Sequence, residues 1–165
     1  MTMQSALEPL RLRRVLSSFP TGVTVLAGVV DGVPAGLAAN SFVSVSLDPP
    51  MVSVCVAHTS STWPVLRRAG RLGVSVLGAH QEHIGRQLSA RGVDRFAALR
   101  WRTSPDGAVL LDGSSAWLDC AIEREIPAGD HDIVLLRVHD VDADPEVAPL
   151  VFHGSRYRRL HHGDG

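Results

Sequence analysis

Three short segments carry residue types able to do chemistry. The densest is Ala38-Ala39-Asn40-Ser41-Phe42-Val43-Ser44-Val45-Ser46, which runs into the rigid Asp48-Pro49-Pro50 turn. Asparagine supplies both a donor and an acceptor, and each serine a hydroxyl. A flat heterocycle with imide edges needs such a mixture, supplied largely by backbone groups of an extended strand. An exposed strand face dotted with Ser and Asn has the same composition, so the segment alone leaves both readings open. The second segment, Ser60-Ser61-Thr62, sits at an expected helix start, where unpaired N–H groups and the helix dipole favour an anion. Its three hydroxyls suit a phosphate or, more plainly, cap the helix. The third is the turn Ala128-Gly129-Asp130-His131-Asp132. It puts His131 at a strand start, where Asp130 or Asp132 can fix its ring; a solvated turn histidine is the plainer alternative.

Much other chemistry is excluded or poorly supplied. All 16 basic residues are arginine, so no lysine can form a Schiff base or act as a general base. The formal net charge of -1 creates no strong field for nucleic acid or an anionic membrane. Arg67, Arg68 and Arg71 form a local basic cluster available to a 2′-phosphate, but aromatics at 5% supply few stacking platforms for bases. No GxSxG elbow accompanies the fragment His153-Gly154-Ser155, and no GxGxxG or Walker loop occurs. His80 and His83 read as solvated residues on a polar helix face, and no metal site is expected. Cys55 and Cys120 lie among apolar neighbours and read as two buried free thiols. Residues 1–6 lack a basic and apolar leader pattern, and no stretch approaches the roughly 20 apolar residues of a membrane helix. The expected location is the cytoplasm.

These segments must be positioned by a β-rich chain. A length of 165 residues suits one domain, 1–165, with a real core. A helix is expected over residues 6–18, ended by Pro20. Strands follow from Gly22, turning at Asp31-Gly32 into a partner over 33–39, then over 42–47 and 51–57. Helices are expected over 63–69 and 79–89 with a strand over 72–77 between them, and residues 91–99 read as a loop with a helical turn. In the last third, Ala116, Leu118, Cys120 and Ile122 alternate inward against Trp117, Asp119, Ala121 and Glu123. A long strand over 131–141 and two short ones over 150–153 and 157–160 close the chain, leaving 161–165 as a frayed tail. Many strands and few helices imply an antiparallel barrel, in which closure removes exposed edges.

In order, these segments resemble the short-chain flavin reductase family. The matching stretches are Phe19-Pro20-Thr21-Gly22-Val23-Thr24-Val25, the run from Gly36 to Pro50, Ser60-Ser61-Thr62, and Gly73-Val74-Ser75-Val76-Leu77. Arg95-Phe96, Gly129-Asp130-His131 and Gly154-Ser155-Arg156-Tyr157 complete the set, which covers about residues 10–160. The resemblance implies a mainly β fold, an FMN-binding split β-barrel of antiparallel, Greek-key type with a few short flanking helices. It implies that Ala38, Ala39, Asn40, Ser41, Ser44, Val45 and Ser46 lie along the flavin, and that Ser60, Ser61 and Thr62 help hold its phosphate. Ser75, Phe96 and Tyr157 fall on further matching positions, and His131 is implied to place the nicotinamide. Two departures stand out: Ala38 where many relatives carry Thr, and Ser75 where many carry Asn. Both are expected to loosen flavin binding or change which flavin is preferred, without removing the backbone groups.

The activity so implied is NAD(P)H-dependent flavin reduction, with hydride passing from the nicotinamide C4 to the N5 of FMN, or of FAD. The protein's part is orientation, proximity and exclusion of water. His131 is then a positioning residue and candidate proton donor, while Asn40 and Ser41 are candidate donors to the flavin N1–C2=O edge. The family implies a homodimer and a separate flavin-dependent monooxygenase that consumes the reduced flavin. Two alternatives stay open: a flavin- or haem-binding module without turnover, and an oxidase that keeps its FMN.

Overall fold

The computed structural model describes residues 7–161 and Gly163. Ala6, the expected start of the first helix, and most of the expected frayed tail lie outside the described residues. Helix α1 (Pro9–Leu16) precedes strands β1 (Thr21–Gly22), β2 (Thr24–Val30), β3 (Val33–Ala39), β4 (Val43–Leu47) and β5 (Pro50–Ala57). Then come helix α2 (Trp63–Leu66), strand β6 (Leu72–Val76), a 3-10 turn at Ala79–Gln81 and helix α3 (Glu82–Ser89). Strands β7 (Trp101–Thr103), β8 (Val109–Leu111), β9 (Ala116–Ala128), β10 (His131–Ala143), β11 (Leu150–His153) and β12 (Arg156–Arg159) complete the order.

Seven strands form one antiparallel sheet in the order β3-β2-β6-β9-β10-β5-β4. Its two end strands, β3 and β4, are consecutive in sequence and joined by residues 40–42 alone. Such a connector spans at most roughly 14 Å. The sheet must therefore curl until its ends nearly meet, which makes it a barrel. The ends do not pair with each other, so the barrel is split. Curling also explains β2. Leu26 packs with Val54, Leu72 and Val134, whereas Val23, Val25 and Ala27 pack with Leu77, Ile84 and Leu88. A strand buried on both faces has no polar side, which is why its residues are apolar almost throughout. Local chemistry agrees at the β2–β3 turn, where Asp31 and Gly32 both have positive φ (52° and 79°) as a two-residue hairpin of this type requires.

Several expectations change. The helix expected over 63–69 is a single turn, and the unassigned stretch after residue 100 folds into the small β7–β8 hairpin. In β9, Asp119 is buried beside Cys120, so the simple alternation fails there. The β9–β10 pairing shifts register between Leu135 and Leu136 and between Val138 and Asp140, and such bulges break a two-residue period. Burial of Asp119 is compensated by Arg71, whose Nη1 lies 3.1 Å from Oδ1. Arg67 and Arg68 pair with Glu125 (2.7 Å) and Asp31 (3.1 Å), so all three arginines of this cluster have carboxylate partners. The thiols also divide. Cys120 is buried, and burial with Asp119 beside it pushes its pKa up to about 12, whereas Cys55 is exposed, contrary to expectation. No helix among the described residues is long and apolar enough to cross a membrane.

Replacing Arg71 by Met should leave Asp119 buried without its cation and lower unfolding stability by about 3 kcal/mol. The exposed second partner, Asp106, lies 3.3 Å away, and its replacement by Ala should change stability by less than about 1 kcal/mol. Urea denaturation of the two variants would test this, and equal small losses would contradict the assignment.

Candidate functional site

A cleft of about 370 Å³ opens where the end of β3 faces the ends of β5 and α3 and the start of β10. This volume falls in the range of small-molecule sites, about 300–1,000 Å³. Ala38, Ala39, Asn40 and Ser41 form one wall. As an end strand, β3 has one paired neighbour, β2, with Ala38 opposite Val25. The Gly36 carbonyl points away from that neighbour and accepts a bond from Arg95 Nη1 at 3.0 Å. In antiparallel pairing the direction of the backbone groups repeats every second residue, so the N–H and C=O of Ala38 face outward as well. The wall therefore presents one backbone donor and one acceptor side by side, suited to an imide edge.

Ser41 lines the cleft and has a structural part as well. In the β4–β5 register Val43 opposes Ser53, which puts Ser41 opposite Cys55. Its hydroxyl accepts the Cys55 N–H at 2.8 Å and donates to the Cys55 carbonyl at 3.2 Å. A side chain thus takes the place of a backbone rung and ties the β3–β4 connector to β5. Asn40 beside it is exposed and makes no side-chain hydrogen bond among the described residues.

A second wall gathers Ser60, Ser61, Thr62, Arg91 and Arg95. Because α2 is only one turn long, the helix-start argument for an anion loses its force, and the arginines take its place. The Ser60 hydroxyl accepts the Trp63 N–H at 3.1 Å, and the Thr62 hydroxyl accepts from Arg95 Nη1 at 2.9 Å. Arg95 is further fixed by Nε donating to the Ala90 carbonyl at 2.9 Å. Neither Arg91 nor Arg95 makes an ion pair with a carboxylate among the described residues. Burial lowers the Arg95 pKa, and the nearby Arg91 charge lowers it further. Two neighbouring guanidinium groups that no carboxylate pairs with favour a bound anion. Sequence reasoning noted Arg95 only as part of a motif and missed Arg91. With 16 arginines in the chain, nothing in their spacing marks this pair.

His131 reaches the cleft from the start of β10, where it lies between Ala57 of β5 and Ala128 of β9. Asp130 Oδ1 lies 2.7 Å from its Nδ1, and this hydrogen bond and the imidazole charge hold the Asp130 carboxyl below its usual pKa. An ionised Asp130 takes the Nδ1–H and leaves Nε2 as the free ring nitrogen. His58, which sequence reasoning did not single out, pins this turn. Its N–H donates to the Asp130 carbonyl at 2.9 Å, and its Nε2 lies 2.8 Å from Asp132 Oδ1.

The other expected residues separate. Phe96 lines a cavity of about 380 Å³ that shares Ser61, Thr62, Arg91 and Arg95 with the cleft. Its ring is seated over Gly36, where an added Cβ would lie 2.8 Å from Cζ. Tyr157 lines a smaller cavity of about 200 Å³ that shares Ala38, Ala39 and Asn40. Ser44, Val45 and Ser46 line none of these cavities; they lie on the edge strand β4, with a register shift between Ser44 and Ser46. Ser75 is fully buried, and its hydroxyl accepts the Leu111 N–H at 3.0 Å. It belongs to the core, and its difference from relatives has no direct route to the cleft. No cluster of metal-ligating residues occurs among the described residues.

Residues 16–161 match the family model described as a flavin reductase like domain. The reductase subunit HsaB of a flavin-dependent monooxygenase from Rhodococcus jostii (strain RHA1) is 39% identical over 152 residues, covering 92% of this chain and 78% of that protein. A flavin reductase from Pseudomonas putida is 35% identical over 156 residues, covering 94% and 92%. Among solved structures, the NADH:FAD oxidoreductase SgcE6 of Streptomyces globisporus C-1027, in complex with NAD and FAD fragments, superposes with a TM-score of 0.89. It is 39% identical, and the match covers 96% of each chain. The split barrel expected from the order of motifs is thus the observed fold, and the chain belongs to the flavin reductase-like domain family.

Proposed function

We propose that the protein is an NAD(P)H-dependent flavin reductase that supplies reduced flavin to a separate monooxygenase. The observation that carries this is the convergence, on one cleft, of an outward-facing strand edge, an arginine wall and His131. When bound, the flavin supplies the hydride-accepting chemistry. Ala38 would meet the ring's imide edge through its N–H and C=O, and Asn40 would add a side-chain amide. Arg91, Arg95 and Ser61 would hold the phosphate. His131 Nε2, a hydrogen-bond acceptor while the ring is neutral, would receive the nicotinamide carboxamide N–H and orient that ring against the flavin. The relatives that are reductase subunits of monooxygenases support the assignment of the consumer. Two unpaired thiols, and a dependence on reduced nicotinamide, support the cytoplasm.

We also infer a homodimer. The end strand β4 exposes Val43, Val45 and Leu47, the last at 91%, and α1 exposes Leu10, Val15 and Leu16, followed by Phe19. An apolar edge strand left open to water invites aggregation, and a second copy of the chain would cover it.

Replacing His131 by Ala should raise the KM for the nicotinamide about fivefold, the worth of one hydrogen bond, with the flavin Kd little changed. Steady-state kinetics and flavin fluorescence titration separate the two, and a collapse of flavin binding would refute the assignment of this turn. Replacing the exposed Arg91 by Ala should weaken FMN about tenfold or more and leave riboflavin, which lacks the phosphate, unaffected. Equal losses for both ligands would remove Arg91 from the phosphate wall. Light scattering should give twice the chain mass for the wild type and the single-chain mass for Leu47→Asp; a monomeric wild type would end the dimer proposal.

A further inference from the structure

The arginine wall stands on a stretch with little structure of its own. Between α3 and β7, residues 90–100 form neither strand nor helix. The backbone bonds within the stretch run from the Ala97 N–H to the Asp94 carbonyl at 3.3 Å and from the Leu99 N–H to the Phe96 carbonyl at 3.1 Å. Ala98 has a φ of 59°, a left-handed conformation that alanine keeps only where its surroundings hold it. Gln87 supplies the hold. It sits half-buried on α3, whose Ile84 and Leu88 are packed in the core. Its Nε2 lies 2.8 Å from the Ala97 carbonyl oxygen, 3.0 Å from that of Arg95 and 3.5 Å from that of Asp94. An amide nitrogen has two hydrogens, so the two nearer carbonyls take them.

Arg95 is therefore held at both ends. Gln87 fixes its backbone, while its side chain donates from Nε to the Ala90 carbonyl and from Nη1 to the Gly36 carbonyl and the Thr62 hydroxyl. Nη2 has no partner among the described residues, which leaves that nitrogen for an anion. Gln87 itself lines neither the cleft nor the adjoining cavity, so any effect on a bound phosphate must pass through the stretch it ties. We propose that Gln87 is a positioning residue of the flavin site: its amide clamps the turn of residues 95–97 to α3 and so aims Arg95 at the flavin phosphate. This rests on the reading of the arginine wall as the phosphate site and adds the residue that sets its geometry. A guanidinium whose backbone is fixed loses less freedom on binding an anion, and a flavin without a phosphate gains nothing from that.

Fluorescence titration with FMN and with riboflavin reads the effect. Gln87→Met keeps the length of the side chain and removes both donors. It should raise the FMN Kd about fivefold, the worth of one hydrogen bond, with the riboflavin Kd unmoved. Gln87→Asn, one methylene shorter, withdraws the donors from the two carbonyls and should give the same split; it carries the test alone if Gln87→Met does not fold. Gln87→Lys returns a donor to the carbonyls and should bring the FMN Kd back to within about twofold of the wild type. An unchanged FMN Kd in Gln87→Met and Gln87→Asn, or equal losses for FMN and riboflavin, would overturn the proposal. So would a Gln87→Lys protein as weak for FMN as Gln87→Met, since the donor would then be irrelevant. The titrations need no turnover, so a wild type without flavin-dependent oxidation of NADH or NADPH would overturn the reductase assignment alone. A wild type that binds FMN no tighter than riboflavin would overturn the phosphate wall and this proposal together.

Discussion

Ser41 stands opposite Cys55 in the β4–β5 register, but its hydroxyl makes the rung there, accepting from the Cys55 N–H and donating to its carbonyl. This rung is made in the connector of residues 40–42 by which the chain leaves β3, crosses the split and enters β4. The gap of the barrel lies between the unpaired end strands β3 and β4, and the Ser41 rung ties the crossing between them to β5. With the hydroxyl in place, β5 keeps its hydrogen bonds, while the end of β3 is free to face the cleft. The pairing of β5 with β10 then carries His131 to the opposite side, since Ala57 and His131 are partners in register. One short polar side chain thus ties one wall of the cleft to β5, the strand that carries the other wall through β10.

Fold class and the main site segments were legible in the sequence because they depend on local, periodic signals. The strand pattern and the Asp31-Gly32 turn point to an antiparallel barrel, and the ordered motifs, through the family resemblance, to a split one. Ala38 to Ser41, Ser60 to Thr62 and His131 do converge on one cleft. What was not legible depends on partners distant in sequence. Ser75 and Ser41 are both serines in or beside apolar strands, yet one serves Leu111 inside the core and the other bridges to Cys55. Asp119 looked outward by period, but a bulged ladder and Arg71 make its burial tolerable. Cys55 looked buried by its neighbours, yet its position at the split leaves it exposed.

The absence of lysine gives the arginines a division of labour that only their partners reveal. Arg67, Arg68 and Arg71 are matched to carboxylates and tie elements of the fold together. Arg95 is matched to carbonyls and a hydroxyl, which fix its geometry without neutralising its charge. That distinction separates a structural cation from a binding one. A guanidinium held rigid by neutral acceptors keeps its attraction for an anion and loses little entropy on binding it.

The outer edge of β3 completes this logic. An unpaired strand edge is ordinarily a liability, because its free N–H and C=O groups recruit other strands. Here the edge faces a cleft of about 370 Å³ walled by the end of α3 and the loop of residues 59–62. Binding through Ala38 would then use main-chain groups whose direction is fixed by pairing with β2 and whose chemistry no substitution at that position changes. An alanine there, which brings no hydroxyl, would therefore be compatible with a flavin. Side chains beyond the strand, in the arginine wall, can then vary without disturbing the backbone groups of β3.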